Sequence, residues 1–69
     1  METIGIQTEF IRLDAFLKFA AVVGTGGEAK LLIQDGLIAV NGEVCTMRGK
    51  KIRNGDTVTV EEYEVTVKA

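Results

Sequence analysis

Asn41-Gly42 lies between two short runs of strand-forming residues, 37–40 and 43–46, and is the strongest local signal in the sequence. Both residues readily adopt the positive φ angles of a type I′ turn, whose twist matches that of two antiparallel strands. We therefore predict a β-hairpin over 37–46. Because an isolated hairpin is only marginally stable in water, the flanking segments must pack against it.

A first amphipathic helix is predicted ahead of this hairpin, beginning at about residue 12. Its apolar residues follow the i, i+3, i+4, i+7 spacing that places side chains on one face of a helix: Leu13, Phe16, Leu17 and Ala20. On the polar side, Asp14 and Lys18 have the i, i+4 spacing of a favourable ion pair, and we predict that they form one.

A second, shorter helix is predicted after the glycine-rich turn at 24–27. Thr25 and Glu28 fit a capping box at its start, and Gly36 fits a left-handed residue just past its end. Three apolar residues share its inner face: Ala29, Leu32 and Ile33. The turn lacks the Gly-Lys-Ser/Thr ending of a nucleotide-binding P-loop, so ATP or GTP binding is not expected.

The remaining segments are predicted to form strands. Residues 3–8, 57–60 and 63–67 each place apolar residues at every second position. Two helices packed on one face of a small, mostly antiparallel sheet would bury both helical stripes and one face of the sheet. We therefore predict an α+β fold in a single domain, 1–69, with the strand at about 3–8 added to the helix and hairpin unit.

The composition argues against catalysis. Histidine is absent and Cys45 is the sole cysteine, so one chain cannot form a His-based triad, a Cys–His pair or a Cys/His zinc site. We expect no enzymatic activity, cofactor or metal, and we expect Cys45 to be a small buried hydrophobic residue. Charged residues interrupt every apolar stretch well before the length of a membrane span, so we predict a cytoplasmic protein without membrane contact.

The formal net charge of −2 conceals a basic segment, 48–53. Half of the eight Lys and Arg residues lie in these six positions, which contain no acid: Arg48, Lys50, Lys51 and Arg53. Phosphate binding requires a concentrated positive surface and tolerates acids elsewhere, so the distribution of charge is more informative than its total. We interpret the basic segment as a loop that contacts nucleic acid.

Several motifs occur in the order and spacing of a known family: Arg12-Leu13-Asp14-x-Phe16-Leu17, Ala29-Lys30-x-Leu32-Ile33, Gly36-x-Ile38-x-Val40-Asn41-Gly42 and Gly55-Asp56. Together they resemble the S4-like RNA-binding domain over about 12–60. With its added N-terminal strand and no catalytic domain, the chain is similar to the small standalone bacterial subgroup of the YbcJ/YaaA type. In that family, two helices and the following turn form an L-shaped (αL) motif that docks on structured RNA.

The resemblance implies an RNA-binding protein associated with translation, with ribosomal or transfer RNA, a ribosome or an RNA-modifying protein as its partner. We expect it to be a monomer. The predicted RNA-binding residues are the cations of the basic segment and those on or near the helices: Arg12, Lys18, Lys30, Arg48, Lys50, Lys51 and Arg53. This chain has Gly26 where many relatives carry arginine. That departure shifts the expected phosphate contacts to Lys30 and the basic segment.

Two other interpretations fit the same residues. In one, a C-terminal strand carrying Glu61, Glu62 and Glu64 contacts a protein during translation or ribosome assembly, and the basic segment is incidental. In the other, the chain recruits RNA for a separate modifying enzyme. Phe16 lies on the apolar stripe of the first helix and is predicted to be core, whereas Phe10 could pack or stack on a base.

Overall fold

Residues 2–69 are described by a computed structural model. They form two helices and seven short strands, in the order β1 (Glu2–Gly5), β2 (Phe10–Arg12), α1 (Leu13–Phe19), α2 (Gly26–Gln34), β3 (Ile38–Val40), β4 (Glu43–Val44), β5 (Lys51–Arg53), β6 (Thr57–Val60) and β7 (Tyr63–Lys68).

Five of these strands form the main sheet, in the spatial order β1-β7-β6-β3-β4. Neighbouring strands are antiparallel except β1 and β7, which run parallel. The other two strands, β2 and β5, form a separate antiparallel pair. Helices and sheet share one buried core, so the predicted α+β fold with a mostly antiparallel sheet is confirmed.

The core contains thirteen buried apolar residues: Ile6, Leu13, Phe16, Leu17, Val23, Ala29, Ile33, Ile38, Val40, Ile52, Val58, Val65 and Val67. Both predicted helical stripes face this core, with Ala20 and Leu32 partly buried at its margin. Phe16 is a core residue, as predicted, with 1% of its surface exposed. Cys45 is only partly buried against the core, and not enclosed by it.

The ends of α2 are those that the sequence predicts. The Thr25 side-chain oxygen accepts a hydrogen bond from the Glu28 N–H at 3.2 Å, which satisfies one of the free donors at the start of the helix. Gly36 follows the helix with φ = +75°. Its N–H and that of Leu37 each donate back to a helical carbonyl at 3.1 Å. This pair of bonds is a Schellman motif, which favours glycine in the left-handed position.

The start of α1 is stabilised differently. Arg12 is its N-cap residue and makes no side-chain capping bond. Instead, the Leu13 N–H donates to the Lys50 carbonyl at 2.8 Å, and the Asp14 N–H donates to the Arg48 carbonyl at 3.2 Å. Because the first N–H groups of a helix have no partner within it, these carbonyls fill a role that side chains usually take. The backbone of the basic segment is therefore bound to the start of α1.

The predicted hairpin is confirmed at its turn. Asn41 and Gly42 have φ angles of +52° and +86°, the positive values that a type I′ turn requires. The returning strand β4 is shorter than predicted, since it contains only Glu43–Val44. The pairing continues for one residue beyond β4, since the Cys45 N–H donates to the Ile38 carbonyl at 2.9 Å.

Two strand predictions need correction. The basic segment was expected to be a loop, but its second half is strand β5, and its partner β2 was not predicted. Strands of three residues are too short to show a clear period, and the pairing joins segments far apart in the sequence. The predicted strand 3–8 ends earlier, at Gly5, although the Ile6 N–H still donates to the Lys68 carbonyl at 2.7 Å.

Candidate nucleic-acid interface

The β2–β5 pair has one apolar face and one basic face. Its register places Ile11 opposite Ile52, and alternation along each strand turns these two inward. Ile52 is fully buried and Ile11 is partly buried. The four remaining side chains are exposed on the other side, and we call them the basic ribbon face: Phe10, Arg12, Lys51 and Arg53.

Positive charges are placed against each other on the basic ribbon face. Arg12 lies directly opposite Lys51 in the strand register, and neither strand contains an acid. Like charges in directly opposed positions of a β-pair destabilise it. Asp14, which lies 3.2 Å from Arg12, offsets part of this repulsion in the free protein, and an anion over the face would offset more of it.

Phe10 provides an aromatic surface among these cations. The Lys51 ammonium nitrogen lies 4.9 Å from the centroid of its ring. The Arg53 guanidinium carbon lies 6.0 Å from the same centroid. Both distances are within the range of cation–π attraction, which restrains the two flexible side chains over the ring.

Asp14 joins the basic segment to the basic ribbon face. Its Oδ2 atom lies 3.2 Å from Nη2 of Arg12 and 3.4 Å from Nη2 of Arg48. The Asp14 side chain is 13% exposed, whereas the two arginine side chains are 58% and 42% exposed. One carboxylate therefore holds two guanidinium groups side by side, and the cluster keeps a net positive charge.

The predicted ion pair between Asp14 and Lys18 does not form within residues 2–69. Asp14 instead pairs with the two arginines. The helical spacing is correct for Lys18, but guanidinium groups offer several donors in a planar fork that suits a carboxylate better than an ammonium does. Lys18 is exposed and lies with Arg12 and Gly26 along a shallow depression of about 260 Å³.

A network of hydrogen bonds, which we call the turn clamp, attaches β5 to the main sheet. Asp56 Oδ2 accepts from the Arg53 N–H at 2.8 Å, and Asp56 Oδ1 accepts from Nδ2 of Asn41 at 3.1 Å. Asn41 Oδ1 in turn accepts from the Thr57 N–H at 2.9 Å. Asn41 and Asp56 thus act as internal braces that fix the direction in which β5 leaves the sheet.

The clamp changes the acidity of Asp56. Burial by itself would raise the pKa of this carboxyl, but the hydrogen bonds from Arg53 and Asn41 and the positive charges of Lys50 and Arg53 outweigh it. The net effect lowers the pKa of Asp56 below its ordinary value of 3.8. Asp56 therefore remains ionised near neutral pH and serves as a fixed acceptor for the clamp.

A wider concavity, of about 660 Å³, lies between the β3–β4 hairpin and the basic segment. Lys50, Lys51 and Arg53 line it, together with exposed Val44 and Met47. Glu43 and Asp56 also contribute to its lining, so the cations there are not free of acids. Its mixture of charge and apolar surface suits a ligand with both an anionic and a flat apolar part.

The seven predicted cations are not all brought together. Arg12, Lys51 and Arg53 share the basic ribbon face, Arg48 joins them through Asp14, and Lys50 lines the adjoining concavity. Lys18 is nearby along the smaller depression. Lys30 is exposed on α2, and within residues 2–69 no hydrogen bond or ion pair connects it to this surface.

Two contributors to the surface, Asp14 and the Asn41–Asp56 pair, were missed in the sequence as site residues, and Phe10 was left open between packing and stacking on a base. The pattern Lys51-Ile52-Arg53, in which charged residues flank an apolar one, was a signal for a half-buried strand. No local pattern indicates that Asn41 and Asp56 meet, because their contact depends on the closed sheet. Within residues 2–69, neither helix has the length and hydropathy of a membrane span.

This fold and its motifs define a known class. A family model described as the S4 domain matches residues 4–68, and the chain belongs to the S4 domain family. The family resemblance drawn from the sequence motifs is therefore confirmed. The chain is 42% identical over 60 residues to the probable ribosome maturation protein RlbA of Bacillus subtilis (strain 168), a match that spans 87% of this chain and 84% of that protein.

Two solved structures share the fold. The solution structure of YbcJ from E. coli, which reveals an ALFAL motif involved in RNA binding, matches with a TM-score of 0.76 and 31% identity over 100% of this chain and 89% of that chain. The crystal structure of a pseudouridylate synthase matches with a TM-score of 0.73 and 25% identity over 81% of this chain. This match spans 24% of the synthase chain, so it concerns about a quarter of that enzyme.

Proposed function

We propose that the protein is a non-catalytic module that binds structured RNA through the basic ribbon face, together with Arg48 and Lys50. The observation that carries this proposal is the exposed pair of strands on which three cations surround an aromatic ring, with Asp14 as the one acid paired to them across the described residues 2–69. Opposed positive charges are costly in the free protein, and phosphate oxygens relieve that cost. Lys18 and Lys30 contribute weaker contacts from the helices.

The chemistry of these contacts is positioning rather than base reading. Lysine and arginine on phosphates release condensed counterions, so the affinity depends strongly on salt. Four to six contacts correspond to a slope of roughly −3 to −5 in a plot of log affinity against log salt concentration. Selectivity then comes from the shape of the RNA, because the base edges of an RNA duplex are hidden in its deep major groove.

The relatives favour a ribosomal partner. YbcJ carries a motif involved in RNA binding, and the RlbA relative is a probable ribosome maturation protein. We infer that this chain acts as a monomer in the cytoplasm and docks on folded ribosomal RNA during ribosome maturation, with transfer RNA as the alternative ligand. A role beside a separate RNA-modifying enzyme is less favoured, because the synthase match concerns only the shared domain.

Charge reversal tests the proposal. Replacing Arg48, Lys50, Lys51 and Arg53 together with Glu should abolish binding to a structured ribosomal RNA fragment and flatten the salt slope, as measured by fluorescence anisotropy at several salt concentrations. Circular dichroism and thermal unfolding would establish that the variant is folded. Retention of the RNA by the folded quadruple variant, with an unchanged slope, would end the proposal.

A matched pair of single variants separates the surface from the net charge. Lys51→Glu and Lys30→Glu change the net charge equally, but Lys51 belongs to the basic ribbon face and Lys30 does not. The loss of affinity should be several times larger for Lys51→Glu. Equal losses would mean that total charge, and not this surface, governs binding.

A protein-docking module is the second candidate, favoured by a different surface. A depression of about 250 Å³ is lined by Ala20, Ala21, Val22, Val60 and the half-exposed Tyr63, beside the acidic turn Glu61-Glu62. Such a surface suits a basic, apolar segment of a protein. Under this alternative, the quadruple variant would still capture its protein partner, and neutralising Glu61, Glu62 and Glu64 would abolish that capture.

A further inference from the structure

Phe10 has the exposure and surroundings of a stacking platform. The residue is 38% exposed, and it belongs neither to the buried core nor to the partly buried residues that pack against the core. Phe16, six residues later, is 1% exposed and entirely structural. Packing therefore does not account for an aromatic side chain at position 10.

The neighbours of Phe10 are those that a nucleotide requires. Arg53 lies opposite it in the strand register, Lys51 approaches its ring diagonally at 4.9 Å, and Arg12 follows on the same face of β2. An aromatic ring bordered by cations is the combination by which proteins hold single-stranded nucleic acid, with the base on the ring and the flanking phosphates on the cations.

We propose that the basic ribbon face binds an unpaired nucleotide of the RNA, whose base takes the place of the Lys51 ammonium over the Phe10 ring while Lys51 and Arg53 turn to the adjoining phosphates. The proposal rests on the RNA-binding function above and adds a chemical requirement to the ligand. A continuous duplex offers no free base face along its length, since its bases are stacked on one another. A bulge, a loop or a single-stranded flank does offer one.

The consequence is a preference between RNAs of equal charge. Two RNA hairpins with the same number of phosphates, one with a fully paired stem and one with a single extruded base in the stem, should bind with the same salt slope. The bulged hairpin should bind about five- to tenfold more tightly, at the lower end of the gain for one stacked base. A non-nucleotide linker closes both stems, so the extruded base is the only unpaired base. One further phosphodiester in the linker of the fully paired hairpin equalises the number of phosphates.

Substitutions at Phe10 test this preference. Phe10→Leu keeps an apolar side chain but removes the ring, and Phe10→Tyr keeps the ring. Phe19→Leu is the matched control, because Phe19 is also an exposed phenylalanine and lies at the far end of α1 from β2. We expect only Phe10→Leu to bind the two hairpins with equal affinity, whereas Phe10→Tyr and Phe19→Leu should keep the preference of the wild type for the bulged one.

A spectroscopic signal identifies stacking directly. With 2-aminopurine as the extruded base, wild type and Phe10→Tyr should quench its fluorescence on binding, and Phe10→Leu should not. Loss of discrimination in Phe10→Leu together with loss of quenching supports the proposal. It is overturned if wild type binds both hairpins equally or if Phe10→Leu still discriminates and quenches. Failure of the wild type to bind either hairpin would instead contradict the proposed RNA-binding function itself.

Discussion

The basic ribbon face and the β6–β7 hairpin are both carried by antiparallel pairs of short strands, yet they are held in place differently. The hairpin is local: β6 and β7 pair directly through the turn at Glu61-Glu62, where Glu61 has φ = +56°. The strands of the basic ribbon face come from distant parts of the sequence. They depend on the turn clamp and on the bonds between the basic segment and α1.

The acidic and the basic surfaces of the molecule therefore depend on different kinds of structure. The acids Glu61, Glu62 and Glu64, which we call the acidic hairpin, need only a turn and a strand register. The basic ribbon face needs the complete fold, because its two strands lie about forty residues apart in the sequence. A positive surface that exists only in the folded protein makes RNA binding a sensitive reporter of correct folding.

The largest expected effect comes from loosening the basic ribbon face from the core. Ile52 is fully buried beneath it, and Ile52→Ala should lower the free energy of unfolding by about 2–5 kcal/mol through lost burial and an unfilled cavity. Because a domain of this size has only about 3–5 kcal/mol of stability, the milder Ile52→Val, with a cost of about 0.5–1.5 kcal/mol, keeps the test usable. Chemical denaturation measures both.

The matched control for this change lies under the acidic hairpin. Val65 is 1% exposed on β7, and Val65→Ala also removes buried apolar atoms. At temperatures where both variants are folded, Ile52→Val should weaken RNA binding and Val65→Ala should not. Equal effects on RNA affinity would show that the two regions do not differ in the way described.

A smaller effect is expected at the turn clamp. Asp56→Asn replaces an ionised acceptor that receives two hydrogen bonds, so we expect a loss of about 1–2 kcal/mol at neutral pH. RNA affinity should also fall, because β5 is no longer fixed to the sheet. Glu62→Gln, at an exposed acid in the hairpin turn, is the control and should change the stability little.

The dependence on pH identifies the cause. The pKa of Asp56 is lowered in the folded protein, so its stabilisation is fully present above the ordinary pKa of 3.8 and is lost as the pH falls through the lower folded value. Wild type should therefore lose more stability between neutral pH and about pH 3 than Asp56→Asn does. Identical acid dependence in the two proteins would contradict the role of the clamp carboxylate.

The smallest effect is expected from neutralising the acidic hairpin. The Glu61-Glu62 turn lies at the opposite end of β6 from the turn that follows Arg53. The four residues of β6 span about 13 Å, which is longer than the distance over which exposed charges interact at physiological salt concentration. Replacing Glu61, Glu62 and Glu64 with Gln should change RNA affinity by less than about twofold at physiological ionic strength. An equilibrium titration that shows a large gain would place these acids near the bound RNA.

Local features of the fold could be predicted and the long-range ones could not. The turn at Asn41-Gly42, the ends of α2 and the bounds of β6 follow from residues that are neighbours in the sequence, and all are confirmed. Strand β2 was missed, since three residues carry too little periodicity. The first helix was also predicted to begin at about residue 12, which is the last residue of β2.

The same division applies to the candidate interface. The cations of the basic segment could be identified from composition alone, because six positions without an acid are conspicuous in a chain of net charge −2. The positions of these cations relative to one another in the folded protein could not be predicted. Helical spacing predicted an ion pair between Asp14 and Lys18. In the folded chain, the Asp14 carboxylate pairs instead with the guanidinium groups of Arg12 and Arg48.

The carbonyl groups of Lys50 and Arg48 complete the first turn of α1, and this joins two events that are usually separate. The first two N–H groups of the helix have hydrogen-bond partners only when the basic segment lies beside them, so the helix start and the basic segment depend on each other. An anion that draws the side chains of this segment together also holds its carbonyls in place. We therefore expect an anion bound to the basic segment to stabilise the first turn of α1 as well.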